Sequence, residues 1–592
     1  MKLQRYLIIV DTAPVASADS ANDQLSATMS RQGLEVAKRS PLLTIFASPR
    51  CLSIAAWAGA PAILGTLFEQ PGGSAAVEWP QRTGEAVGDS ATAFVEAYWG
   101  GYLAIWDRPV DRRVTALRDP SGALPCYYVR RGDRTYLASD IAIMADAGVV
   151  TPTIDWQQLT QHLMAIQYRT ARTSVSGVTE LSPGTALTLT PGSSHVREIW
   201  SPWTFARRDR LICDRREAVA RVSETVARVV QSWASAVSHP LLSISGGLDS
   251  SIVAAALRAA HANFDCLTLA TASPAGDERA EARLMAAFVD APLHERHFDI
   301  AEIDLLRSTA AHLPRPTARA FGQEMDRFSL KVAAAVGADC FFHGGGGDNV
   351  FCYLQSVAPI LDSLALRGIR GSWATLGGVA RLTETDVPTV ARETVRRLWS
   401  KRRAYRWAVD TRLLSDGATE DAEPRFDHPW LTVGPSALAG SAAHIANLLA
   451  IQNYLEGYRR ERALPVVAPL LSQPLVELCL QIPSWLWISN GINRAIARDA
   501  FADLLPPALY RRRSKGTPDS VTAALLEANR PLIREMLLGG MLASQGILDK
   551  AAIETILRDR RPATSETASR ILTFCDAEAW ARSVGRDAGI AN

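Results

Sequence analysis

The sequence predicts a β-rich, α+β first half and an α/β second half built on a doubly wound parallel sheet, with a helical C-terminal part. Three observations lead there. Short apolar runs such as "YLIIV", "GYLAIWD", "RVTALRD", "CYYVRR" and "TYLASD" crowd the chain as far as about Trp200, punctuated by Gly, Asp and Pro. From about Arg210 the texture turns to alanine- and arginine-rich stretches of helical period, beginning with "DRREAVARVSETVARVVQSWASAV" (Asp214 to Val237). Strand-like "PLLSIS", helical "SSIVAAALRAAHA", strand-like "CLTLA", helical "DERAEARLMAAFV" and strand-like "LHERHF" then alternate, the order of a parallel sheet covered on both faces.

A chain of 592 residues exceeds what one core can organise, and the change of texture puts the expected domains at residues 1–205 and 206–592. In the first, "LSPGTALTLTPG" reads as a closing hairpin. In the second, the stretch after about Ser436 is mostly helical with proline interruptions. No internal repeat is visible, and Gly344 to Gly347 is too short a run to be a linker.

Composition excludes several function classes. Hydrophobic residues at 47% and charged ones at 21% describe an ordinary globular protein, and a net charge of +2 gives no electrostatic reason to expect nucleic acid or a membrane as partner. Eight cysteines without a CxxC argue against a disulfide framework or a zinc site. The apolar run in "MKLQRYLIIVDTAP" is too short for a signal-peptide core. "LLTIFASPRCLSIAAWAGAPAILGTLF" is broken by Arg50 and two prolines, so a span is not expected and a cytoplasmic location is.

The most informative stretch is "LLSISGGLDSSIVAAAL" (Leu241 to Leu257). Ser245, Gly246 and Gly247 fall where a strand ends, and a helix should begin near Asp249 or Ser250. Backbone N–H groups and the dipole at that helix start favour a polyphosphate, glycines let the backbone approach it, and Ser245, Ser250 and Ser251 could add hydroxyls. Asp249 would repel phosphate, so its sensible role is to hold a magnesium ion. No lysine stands where a P-loop needs one, which disfavours γ-phosphoryl transfer. Taken alone, the stretch is equally a plain glycine turn capped by Ser or Asp.

"DCFFHGGGGDNVFCYLQ" (Asp339 to Gln355) repeats the pattern: apolar strand, glycine turn, acid, helix. In a doubly wound sheet two such turns can meet at the carboxyl ends of neighbouring strands, where ligands bind. Asp249 and Asp348 could then share one Mg2+ over a pyrophosphate, with Gly346 beside it.

"SGGLDSS" resembles the pyrophosphate loop of N-type ATP pyrophosphatases, and its surroundings resemble the asparagine synthetase family. "GDERAEARLMAAFVD" is similar to that family's helix through Asp277, Glu278, Ala282 and Ala286. "HGGGGDNVF" sits where the family has a "SGEGSDEVF"-like turn, keeping Asp348 but with Gly345 and Asn349 in place of two glutamates. "APLLSQPLVELCLQIPSWLWISNGINRAIARDAFADLLPPAL" resembles the C-terminal stretch, and "RRRSKG" puts Lys515 at the catalytic lysine. "WGGYLAIWD", "LRDPSGALPCYYVRRGDRTYLASD" and "VTELSPGTALTL" resemble the family's glutaminase-like (Ntn-type) domain. The resemblance implies cleavage of ATP between its α- and β-phosphates, an acyl-adenylate, and an amine that attacks it to release AMP. A fixed cation at Lys515 would stabilise the charge growing in that transition state.

Two departures shape the expected nucleophile. The family's glutaminases use an N-terminal cysteine, whereas this sequence reads Met1-Lys2-Leu3 and its Cys51 and Cys126 are internal, so ammonia from glutamine is not expected. Pro465 stands at the family's "E-A-R-V-P" glutamate, leaving Glu456, Glu461, Tyr454 and Tyr458 as nearby candidates for acid or base. The glycine-rich turn looks most like the lasso-peptide cyclase branch. That implies adenylation of an Asp or Glu side chain in a precursor peptide, then ring closure by the peptide's own N-terminal amine, with a leader-binding protein and a leader peptidase as partners and a sizeable pocket around the peptide. Beta-lactam synthetase-like cyclisation of a small β-amino acid, a glutamine-hydrolysing asparagine synthetase, and a scaffold without catalysis are the rival readings.

Smaller signals fall to structural roles. His294 and His297 lack a third metal ligand. Trp485 and Trp487 suit core packing or a peptide channel. "RRLWSKRRAYRW" (Arg396 to Trp407) suits a solvated helix face or a protein contact, and "YRRRSK" (Tyr510 to Lys515) is the one basic run that the family reading explains.

Overall fold

The computed structural model describes residues 4–12, 19–49, 51–54, 60–70, 91–271, 276–317, 319–400, 405–512, 519–559 and 561–587. Among the described residues its first half holds twelve strands: β1 (Tyr6–Asp11), β2 (Glu35–Arg39), β3 (Leu43–Ala47), β4 (Leu52–Ile54), β5 (Ala62–Glu69), β6 (Tyr98–Arg108), β7 (Arg113–Arg118), β8 (Tyr127–Arg131), β9 (Arg134–Ala138), β10 (Thr179–Glu180), β11 (Thr185–Thr190) and β12 (Ser193–Glu198). They form two antiparallel sheets, ordered β10-β8-β9-β1-β3-β2 and β12-β11-β7-β6-β5-β4.

"YLIIV" shows why these strands read as unbroken apolar runs rather than alternating ones. Side chains alternate across a strand, so Tyr6, Ile8 and Val10 enter the layer between the sheets while Leu7 enters a second core under helices. Both faces of β1 are covered, so both must be apolar. Helices Ile141–Asp146 and Trp156–Met164, each N-capped by an aspartate, close that outer face. The opposite outer face is closed by Ala91–Ala97 and by Arg215–Ser235, the long helix expected from Asp214 to Val237.

That long helix belongs to the second half, where five strands run parallel: β13 (Pro240–Ser243), β14 (Asp265–Ala270), β15 (Leu293–His297), β16 (Cys340–His343) and β17 (Val466–Val467). Their order is β15-β14-β13-β16-β17. The chain therefore winds out one way from β13 and returns on the other side at β16, and the crevice where the direction switches lies between those two strands. Helices Leu248–Ala259, Arg279–Val289 and Gly322–Val336 cover the sheet, as their alanine-rich period implies. The stretch from Ala358 becomes two helices, Ala358–Leu382 and Val387–Trp399, and Trp485 and Trp487 are both buried in the core rather than lining a channel. No helix among the described residues is long and apolar enough to cross a membrane.

The halves are locked by buried charge that no local sequence pattern announces. Glu180 accepts hydrogen bonds from Arg118 at 2.7 Å and from Arg169 at 2.8 Å, and it pairs with Arg315 of the second half at 2.9 Å. Arg169 also bonds the carbonyl of Gln452 at 2.7 Å and the carboxylate of Glu456, to which the Tyr127 hydroxyl donates at 2.7 Å. Burial opposes ionisation of Glu180, but the three guanidiniums outweigh it and hold its pKa well below the usual carboxylate range.

Two outcomes follow. Glu180→Ala leaves buried arginines without their counter-charge and should cost about 3–5 kcal/mol of unfolding free energy; a urea-denaturation loss under about 1 kcal/mol would show the network to be dispensable. Because the Glu180 pKa is depressed, its contribution is whole above the unfolded-chain value of about 4.3 and drains as pH falls below it. Glu477 has the opposite sign. It accepts from Trp200 Nε1 at 2.7 Å and Gln473 Nε2 at 2.8 Å, and burial pushes it up to about 7. Its stabilising share is therefore present at acid pH and lost as pH rises through about 7. Glu477→Gln should shrink the difference in melting temperature between pH 6 and pH 8, and an unchanged difference would refute this.

Candidate functional site

In-register pairing of β13 with β16 sets Ser243 opposite His343, so the two glycine turns leave the sheet side by side. The first helix starts at Leu248 with Gly247 as its cap, one residue earlier than expected. Gly246 has a φ of +67°, and a Cβ there would stand 2.2 Å from Cβ of Glu281, so only glycine lets the turn pass under helix Arg279–Val289. Ser245 and Ser250 face each other, Oγ to Oγ, at 3.3 Å, and the Ser245 hydroxyl caps Gly247 N–H at the same distance. Ser251 is wholly buried beneath the turn and takes no part in the cavity wall.

The second turn differs from its expected form. Its helix is a single turn, Gly347–Val350, ended where Cys352 turns left-handed and the Tyr353 N–H bonds the carbonyl of Asp348 at 2.9 Å. Too short to contribute a useful dipole, it serves to aim Asp348. Gly346 packs against Leu471 and lies outside the cavity wall, whereas Gly344 and Gly345 form part of it. The turns touch: a Cβ on Gly347 would lie 2.4 Å from Cγ of Asp249.

Asp249 and Asp348 are brought together by a residue that the sequence reading missed. Nη1 of Arg494 lies 2.9 and 2.8 Å from the two oxygens of Asp249 and 2.5 Å from Oδ1 of Asp348. Burial opposes the charge of Arg494, and the two carboxylates more than offset that, so its pKa is raised. Around this cluster is a cavity of about 220 Å³, walled by Ser245, Gly247, Gly344, Arg494, Arg498 and Arg512 among others. Arg512 reaches the carbonyl of Gly246 at 3.4 Å and the carboxylate of Glu278 at 2.9 Å. Arg498 donates to the carbonyls of Tyr510 and Arg512, tying the segment before Lys515 to the cavity. Lys515 itself lies outside the described residues.

Hydroxyls, backbone at a helix start and three arginines suit a polyphosphate. The carboxylates of Asp249 and Asp348 within reach of one cation suit magnesium, which takes one or two carboxylates and completes its shell with phosphate and water. Among the described residues no group of three or more His, Cys, Asp or Glu forms a metal site of its own.

A second cavity, of about 410 Å³, adjoins the first and shares Ser243, His343 and Gly345 with it. Its apolar lining includes Leu267, Leu269, Phe321, Met325, Tyr454 and Tyr458. Of the acid–base candidates, Tyr454 accepts from Arg319 at 2.9 Å, and Tyr458 lies under the Arg460 guanidinium with burial raising its pKa. Glu461 lines a third cavity, of about 150 Å³, between the halves. Glu456 lines the same cavity and is tied to Arg169 and Tyr127 in the buried network. In the first half, burial pushes the Cys51 thiol up to about 12 and Cys126 up to about 11, so neither is a thiolate nucleophile at neutral pH.

The profile of the family described as Asparagine synthase matches residues 222–582, and that of a glutamine amidotransferase domain matches residues 85–200. No curated protein matches the chain significantly. Among solved structures, one described as the allosteric regulatory enzyme of purine biosynthesis is 9% identical over 50% of this chain and 74% of its own, with a TM-score of 0.20. Glutamine phosphoribosylpyrophosphate amidotransferase from B. subtilis, complexed with ADP and GMP, is 10% identical over 50% and 75%, with a TM-score of 0.19.

The contact between the turns is directly testable. Gly347→Ala must displace the Asp249 carboxylate. Calorimetry should show affinity for magnesium–ATP reduced about tenfold or more, a loss of at least about 1.4 kcal/mol, with unchanged circular dichroism. Wild-type affinity would exclude Asp249 from the nucleotide site.

Proposed function

This chain belongs to the asparagine synthase family of ATP-dependent, amide-forming ligases, and we propose that it closes a macrolactam in a ribosomal precursor peptide. In this reading an Asp or Glu side chain of the peptide attacks the α-phosphate of ATP, pyrophosphate leaves from the turn at Ser245 to Ser250, and the peptide's N-terminal amine displaces AMP. Asp249 and Asp348 would hold the magnesium ion that travels with the phosphates, which supplies charge neutralisation there. Arg494, Arg498 and Arg512 would bind and orient the anion, and Lys515 would meet the charge that grows during attack.

The observation that carries the reading is the second cavity. Its apolar and aromatic lining suits adenine and a bulky acyl substrate, and it adjoins the cavity of the phosphate turns. The buried, protonated thiols of Cys51 and Cys126 agree with an amine brought by the substrate. A leader-binding protein and a leader peptidase would deliver the peptide with its amine freed.

One observation favours a second reading, an asparagine synthetase that receives ammonia. The cavity between the halves is lined by Gln4, Arg5 and Ser121 of the first and by His343 and Glu461 of the second, the position of a passage for a small amine.

Incubation with ATP, magnesium and a candidate peptide with its processing partners should remove one water from the peptide and release one AMP per ring, read by mass spectrometry. ADP in place of AMP would rule out adenylation. Product formed from aspartate and ammonium, with no peptide, would select the second reading. Asp249→Ala and Lys515→Ala should each lower turnover by about a hundredfold or more.

A further inference from the structure

His343 is the last residue of β16, and its ring forms part of the wall of all three cavities. Its Nδ1 accepts the N–H of Gly345 at 2.9 Å. A neutral imidazole that accepts at Nδ1 carries its proton on Nε2, at the far side of the ring. Nε2 has no hydrogen-bond partner among the described residues. Gly345 makes this arrangement possible, since a Cβ there would stand 2.5 Å from Nδ1 and 2.7 Å from Cε1 of the ring. Burial, with Arg460 adding to it, pushes the His343 pKa down to about 4, so the ring is a neutral donor at physiological pH.

The point where the phosphate cavity meets the apolar cavity is where an acyl group joined to a nucleotide's α-phosphate would lie. Ser243, His343 and Gly345 are the residues common to both walls, and none of them is a carboxylate. We propose that His343 is a catalytic residue that donates its Nε2–H to the acyl oxygen while the amine attacks. The proposal rests on the adenylate reading above and is independent of which amine attacks. As the nitrogen–carbon bond forms, the carbonyl electron pair moves onto oxygen and accepts the imidazole hydrogen bond. On collapse the bond from carbon to the phosphate oxygen breaks and its electron pair leaves with AMP. The proton lost by the amine passes to solvent, and the imidazole keeps its own. A neutral donor suits this place: it strengthens as charge appears on oxygen and does not, like an imidazolium, pair with the phosphates beforehand.

The test uses the full-length chain with magnesium and two nucleotides, AMP and 5′-O-(N-acetylsulfamoyl)adenosine, a stable mimic that carries the acyl oxygen AMP lacks. His343→Ala should weaken binding of the mimic about tenfold while leaving the AMP affinity within about twofold, since one hydrogen bond to a partly charged oxygen is at stake. His343→Gln, which keeps an N–H donor, should recover most of the difference. Unchanged AMP binding shows that the variants fold. Equal weakening of both ligands, or no weakening of either, would overturn the donor role. A wild-type protein that binds AMP but not the mimic would overturn it as well, and one that binds neither would overturn the adenylate reading itself.

Discussion

The parallel, in-register pairing of β13 with β16 is the constraint on which the site depends. Leu242 lies opposite Phe342 and Ser243 opposite His343, so two strands one hundred residues apart end at the same level. The loops that follow must share the space above the switch point, and they can do so only with very small side chains. Gly246 passes under Glu281 and Gly347 lies against Asp249 because neither has a Cβ. Those close approaches set two carboxylates near each other, a repulsive arrangement that the fold tolerates through a cation. In this structure the guanidinium of Arg494 meets both. A magnesium ion arriving with phosphate would compete for the same oxygens, and Arg494 would then be in place to meet the phosphate instead.

What was legible in the sequence was local. "LLSISGGLDSSIVAAAL" carries its strand, turn and helix within seventeen consecutive residues, and each is set by neighbours in the chain. "DRREAVARVSETVARVVQSWASAV" likewise contains its own cap, Asp214, and a full helical period. The same pattern repeated at Asp339 to Gln355 in a doubly wound sheet added the pairing of Asp249 with Asp348, which no local rule supplies.

What was not legible depends on distant partners. Arg494 lies 245 residues from Asp249 and sits in a left-handed turn before a six-residue helix, in a stretch that reads as one more basic helix start. Its one clue was a basic residue just after the asparagine–glycine turn of "SNGINR". Glu180 reads as a polar residue in a short strand, and only the fold brings Arg118, Arg169 and Arg315 around it. Glu456 was attractive as a base because an acid near the substrate-binding stretch usually is. The arginine that pairs with it comes from the other half of the chain, so spacing could not reveal the pairing.

The same network explains why a glutaminase-like half would be retained whatever amine the enzyme uses. Arg169 fixes the carbonyl of Gln452 and the side chain of Glu456, and Gln452 in turn donates to the carbonyl of Ser121 at 3.2 Å. Between those anchor points and Arg462 lie Tyr454, Leu455, Tyr458 and Arg460, which wall the large cavity, and Glu461, which walls the smaller one. This segment contains only short helical turns, so it has little regular hydrogen bonding of its own to hold a shape. Its conformation is held from both halves: Arg169 of the first anchors Gln452 and Glu456, and Thr309, Arg319 and Asp326 of the second bond Gly457, Tyr454 and Arg459 with Arg460. The phosphate turns rest on β13 and β16 alone, whereas this wall depends on contacts from both halves. The first half thus shares in shaping the cavity wall through Arg169, whichever amine is used.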